Sequence, residues 1–146
     1  MLARHARPGI ETRERDVSAR RVESSAQIAN PLVQASLLGE AVDAADIAIL
    51  VSDEDGRCIA VNQGACDLLG YTRDDLLELQ VRDFAPEVDP GECFRAVYAS
   101  GRTDGVIDAL LGDGNRLAVR HVSTPTRVAQ MRLVLSFGRA DTAGAA

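Results

Sequence analysis

The sequence predicts an α+β fold, an antiparallel sheet covered on one face by short helices. Three observations carry this expectation. The Asp-Gly pairs Asp55-Gly56 and Asp113-Gly114 each lie between β-prone apolar runs, and Gly tolerates the positive φ that tight hairpin turns require. Residues 65–100, between the two hairpins, read as helical pieces punctuated by Gly and Pro. Residues 131–137 alternate with a period of two, as a half-buried strand does. A hairpin, a helical crossover and a three-strand meander let sequential strands pair with short connections.

Each element has its own chemistry. Residues 1–30 hold six Arg against four acids with little apolar periodicity, and are expected to form a flexible, solvated arm. Asn30-Pro31 then places a capping side chain before a Pro at the first helical position. The helix expected over residues 31–45 carries Val33, Leu37, Leu38, Ala41, Val42 and Ala45 at three- and four-residue spacing. Gly39 weakens it by up to ~1 kcal/mol relative to Ala. So short a helix is not stable alone, so it must pack on its own domain or on another subunit. Residues 47–52 and 57–62 form the first hairpin. A helix over 65–69 closes at Gly70, and Thr72 caps a second, with Asp75 three residues on. Asp89-Pro90-Gly91-Glu92 starts a third, which runs through Cys93, Phe94, Val97 and Tyr98 to Ser100-Gly101. Strands follow over 105–111 and 116–123. In the last strand Met131, Leu133, Leu135 and Phe137 share the apolar face, opposite Arg132, Val134, Ser136 and Gly138. Residues 140–146 are small and polar, and are expected to fray.

Composition excludes several classes of function. At 146 residues the chain suits one ordinary domain. No apolar run reaches the ~18–20 residues of a membrane span, and no signal-peptide core follows the N-terminal Arg residues. With 22 acids against 16 basic residues, all of them Arg, direct nucleic-acid binding is not expected. Cys58, Cys66 and Cys93 are odd in number and form no C-x-x-C pair, which argues against disulfides and a zinc site and for the cytoplasm. There is no phosphate loop, no H-E-x-x-H and no Ser-His-Asp arrangement, so neither a metal site nor an enzyme is expected.

Several motifs stand in order between residues 46 and 139, about two-thirds of the chain: Ile49-Leu50-Val51-Ser52-Asp53-Glu54-Asp55-Gly56-Arg57, Ala60-Val61-Asn62, and Ala65-Cys66-Asp67-Leu68-Leu69-Gly70-Tyr71. Asp74-Asp75-Leu76, the Asp113-Gly114 turn and Val122-Ser123-Thr124-Pro125 follow. Together they resemble the PAS domain family. The resemblance implies a five-stranded antiparallel sheet in the order 2-1-5-4-3, with short helices cradling its inner face and a helix ahead of it. It also implies a sensor and protein-association module of signal transduction or transcriptional control. The space between helices and sheet in that family holds a ligand or cofactor, or is simply packed.

The ligand-pocket candidates are Asn62, Tyr71, Phe94, Val97, Val119, His121, Leu133 and Leu135. Asn62 matches the Asn that ends the family's second strand, where its amide bridges the strand to the following helix. His121 shares a strand face with Leu117, Val119 and Ser123; if that face is inward, burial favours its neutral form. Heme is not expected, because the third helix has no His. LOV-type flavin chemistry needs a reactive Cys that residues 76–83 lack. A covalent coumaric chromophore needs a Cys where Glu87 follows Phe84-Ala85-Pro86. What remains is a cavity for a small apolar or amphipathic ligand, or none.

No output sequence of the family's kind follows the last strand, where Gly138-Arg139-Ala140-Asp141-Thr142 stands. Output is therefore expected through an effector protein in trans or through a homodimer, with Val33, Leu37, Leu38 and Val42 as the dimerisation residues, unless the chain is a piece of a longer protein. Two alternatives stand beside this reading: a ligand-free dimerisation module, and a small cone-fold enzyme of the steroid-isomerase type, which needs a pocket acid beside Tyr71 or Tyr98.

Overall fold

Local capping sets the element boundaries. The Asn30 side chain accepts the Leu32 N–H at 2.9 Å, and Thr72 Oγ1 accepts the Asp75 N–H at 3.1 Å. Asp89 accepts from the N–H groups of Gly91 and Glu92, with Pro90 in the first turn. In the first hairpin Asp53 Oδ1 accepts from the N–H groups of Asp55 and Arg57, both at 2.9 Å, while Gly56 takes φ +81°. These are the turns and caps expected of Asp, Thr and Asn.

The computed structural model describes residues 30–142. Helix α1 (Pro31–Ala44) precedes strands β1 (Ala48–Ser52) and β2 (Cys58–Val61). Helices α2 (Gln63–Leu69), α3 (Arg73–Glu78), α4 (Val81–Phe84) and α5 (Pro90–Ser100) follow. The chain closes with β3 (Thr103–Leu110), β4 (Arg116–Val128) and β5 (Met131–Ala140). The five strands form one sheet in the order β2-β1-β5-β4-β3, every pair antiparallel. The fold is α+β, with the order that the resemblance implied.

The core lies between the sheet and the helices that follow β2. Leu50, Ala109 and Val119 from the strands pack with Ala65, Leu69, Leu76 and Phe84 from the helices. A second group joins Phe94 and Val97 of α5 to Val134 of β5. Tyr98 pins α5 to the β4–β5 hairpin, its hydroxyl donating to the carbonyls of Leu133 at 2.8 Å and Thr126 at 3.0 Å.

Several expectations need correction. The connection holds four helical pieces, not three: Gln80 and Asp83 form a capping box around the one-turn α4. Strand β4 runs to Val128, past Pro125, because β3 begins at Thr103 opposite Ser123 and leaves β4 unpaired on that side. The cavity-facing side of β5 is the set Val134, Ser136 and Gly138, with Phe137 also reaching the wall, while Leu133 and Leu135 lie on the other face. Helix α1 is present, but none of its residues is buried; Leu37 and Leu38 are exposed along with Val33 and Val42. Up to Ala41 it belongs to a different unit from the residues that follow. Ala140 pairs with Val119, and the Asp141 N–H donates to the Ala118 carbonyl at 2.8 Å, so order extends into the expected tail. The arm over residues 1–29 and the last residues, 143–146, lie outside the described residues.

The β4–β5 turn carries Ala129 at φ +50° and Gln130 at φ +68°, a left-handed pair without glycine. Such backbone costs an L-residue roughly 1–2 kcal/mol. Ala129→Asn with Gln130→Gly, the preferred pair for this turn, should therefore raise stability by about 1–2 kcal/mol, read as a higher urea midpoint at unchanged m. An unchanged midpoint would show the turn to be unstrained.

Candidate functional site

The inner face of the sheet and the helices over it line a partly open cavity of about 140 Å³. Its wall is mostly apolar. Leu50 comes from β1, Val119 from β4 and Val134 from β5, with Phe84, Phe94 and Val97 from the helices opposite. Among the described residues lining it, Asp53 is the one acid and there is no Arg. The Asp53 Oδ1 is already held by the two backbone donors of the turn.

A polar group interrupts this wall. Ser123 and Ser136 are cross-strand partners, both line the cavity, and their hydroxyls are 2.8 Å apart. His121 Nδ1 lies 3.5 Å from Ser123 Oγ. Thr103 is paired with Ser123 on the other side and also lines the cavity. The residues paired with His121 are both glycines, Gly105 on β3 and Gly138 on β5, so no side chain flanks the imidazole along the sheet.

Burial lowers the His121 pKa below its ordinary value, opposed by the weaker pull of Asp104. The folded domain therefore resists the proton that the unfolded chain accepts. Stability is full above about pH 6.5, the ordinary value, and falls as the pH drops through the window below it. His121→Gln should flatten this window. Urea midpoints at pH 7.5 and 5.5 check the point, and an equal loss in both proteins would remove His121 as its source. Cys93 also lines the cavity, and desolvation, then Asp89 and Glu92, push its thiol up, away from reactive thiolate.

The structure brings Phe94, Val97, Val119 and His121 together on the cavity wall. It places the other four candidates elsewhere. Asn62 is buried at the start of α2 and makes four hydrogen bonds: Oδ1 accepts from the N–H groups of Ile49 and Ala65, and Nδ2 donates to the carbonyls of Val42 and Ile47. Tyr71 packs against the core and donates its hydroxyl to the Leu110 carbonyl at 3.0 Å. Leu133 and Leu135 are on the far face of β5. Ser123, Ser136 and Thr103 escaped the reading because lone hydroxyls in strands carry no motif; cross-strand register is what assembles them.

The family model of the PAS domain matches residues 46–139. No curated protein matches the chain. Among solved structures, a PAS domain of a two-component sensor histidine kinase aligns at TM-score 0.69 and 15% identity, covering 77% of this chain and 100% of that one. The PAS domain of an HTR-like protein from Haloarcula marismortui aligns at 0.68 and 21%, covering 74% and 97%. The PAS domain of a LuxR-family transcriptional regulator from Burkholderia thailandensis, solved with ethanol, aligns at 0.56 and 15%, covering 69% and 94%. At these identities the likenesses establish the fold.

Proposed function

The chain belongs to the PAS domain family, and from that premise we propose that it is a cytoplasmic sensor module whose input is a small molecule in the cavity and whose output is protein association. PAS domains are sensory modules and generally not enzymes. The observation that carries the reading is the partly open, mostly apolar cavity with the polar cluster His121, Ser123 and Ser136 on its wall. The ethanol-bound relative supports it, as a PAS core that takes a small organic molecule. Among the described residues no helix is long and apolar enough to cross a membrane.

Native mass spectrometry of the full chain, with thermal shifts across a panel of small organic molecules, tests the input. A released small molecule, or a shift by a panel member, is the expected result. A chain of bare mass that nothing stabilises would favour the ligand-free dimerisation module instead. The exposed Val33, Leu37, Leu38 and Val42 support homodimerisation through α1 as the output. Sedimentation should show a full-length dimer and a monomer for a chain beginning at Asp46. A full-length monomer at tens of micromolar overturns that part.

A further inference from the structure

Size, charge and hydrogen-bonding pattern together define what the cavity accepts. An apolar protein cavity of about 150 Å³ is enough to hold benzene, and this one, partly open, offers about 140 Å³. A carboxylate inside would lose its hydration with no Arg among the described lining residues to replace it. An ammonium would meet only Asp53, just past the end of β1, while the rest of the lining offers it no negative charge. The ligand that fits is therefore neutral.

The polar cluster then fixes one end of it. Two serine hydroxyls sharing one hydrogen bond leave one hydroxyl proton free to donate, and they retain acceptor capacity. Neutral imidazole has one donor and one acceptor, and with Nδ1 at 3.5 Å from Ser123 Oγ it is Nε2 that is left for a ligand. The cluster thus offers both functions to an incoming group, which a ligand hydroxyl uses in full and a carbonyl only half. Beside the ring, a Cβ built at Gly105 would stand 3.6 Å from His121 Nε2, whereas one at Gly138 would meet Val119 Cγ1 at 3.2 Å. Away from the cluster the wall is mostly apolar, Ser52, Asp53 and Thr103 apart, with Phe84, Phe94 and Val134 set to receive a hydrocarbon body.

We propose that the cavity binds a neutral, benzene-sized molecule bearing a hydroxyl group, of the phenol class, with the hydroxyl on His121, Ser123 and Ser136. The proposal rests on the sensor reading above. Calorimetric titration of the full chain with phenol, toluene and benzoate separates the two. Phenol should bind about tenfold more tightly than toluene, the margin of one buried hydrogen-bonding group, and benzoate should not bind. Ser123→Ala with Ser136→Ala removes both partners of the shared bond, so the core keeps no orphaned hydroxyl from that pair. In that variant, which keeps His121, phenol should weaken several-fold toward the level of toluene, with toluene unchanged. On the unaltered chain, the His121 ring-nitrogen resonances should shift with phenol and not with toluene, a readout independent of whether the variant folds. Toluene equal to phenol, or benzoate the tightest of the three, overturns the ligand class and leaves the sensor reading intact. No binding by any of the three overturns the ligand class, and if the broader panel also fails, the sensor reading falls with it.

Discussion

Val134→Asp should leave the domain unfolded at room temperature. Val134 is 7% exposed and packs against Phe94 and Val97 on the inner face of β5. A carboxylate there has no Arg among the described lining residues to pair with, so it either ionises without a partner or takes up a proton at a cost of several kcal/mol. That is comparable with the whole stability of a domain of this size. Val134→Ala, which removes two methyl groups and adds no charge, should cost about 1–2.5 kcal/mol and stay folded. Circular dichroism and urea titration of the pair decide it. A folded Val134→Asp protein with a near-normal midpoint would mean that this side of β5 faces water.

The second large effect is expected at Asn62. Its amide caps α2 through Ala65, holds β1 through Ile49 and the residue just before it through Ile47, and reaches the end of α1 through Val42, all at 2.7–2.9 Å. Asn62→Ala strips partners from two N–H groups and two carbonyls in a region that is 3% exposed at the Asn itself. The loss should be about 3 kcal/mol or more, the sum of a helix cap and buried groups left unsatisfied. Asn62→Asp is the sharper test. An aspartate still accepts from Ile49 and Ala65, but its second oxygen meets the carbonyls of Val42 and Ile47, where a donor is required. It should be destabilised as well, and regain stability as the pH falls and a protonated carboxyl donates in the amide's place. An Asp variant as stable as the parent would show that only the acceptor matters.

The elements whose ends are set by local chemistry were legible in the sequence. Asn30, Thr72 and Asp89 act within their own first turn, and Asp53 and Gly56 within their own hairpin, so neighbours along the chain suffice to read them. The facing of β5 was not legible, because Leu133 and Val134 are consecutive apolar residues and both are buried. Alternation assigned the inner face to the longer hydrophobic set, whereas the cavity takes mainly the smaller one, Val134, Ser136 and Gly138, with Phe137 alone of the longer set at its wall. Half of the candidate site could be read from apolar spacing and a lone strand histidine. The serine pair could not, since two residues thirteen apart meet only through the β4–β5 register.

The strand order carries a kinetic consequence. The β3–β4–β5 meander and the β1–β2 hairpin each pair residues close in sequence, but the seam between β1 and β5 joins Ala48 to Gly138, ninety positions away. Closing that seam demands the largest loss of chain freedom and belongs late on the folding route. The cavity is walled by both halves, so it does not exist until the seam has formed. An occupant therefore has nothing to grip in the folding transition state. It prolongs the lifetime of the folded domain by slowing its opening, and leaves the speed of refolding where it was.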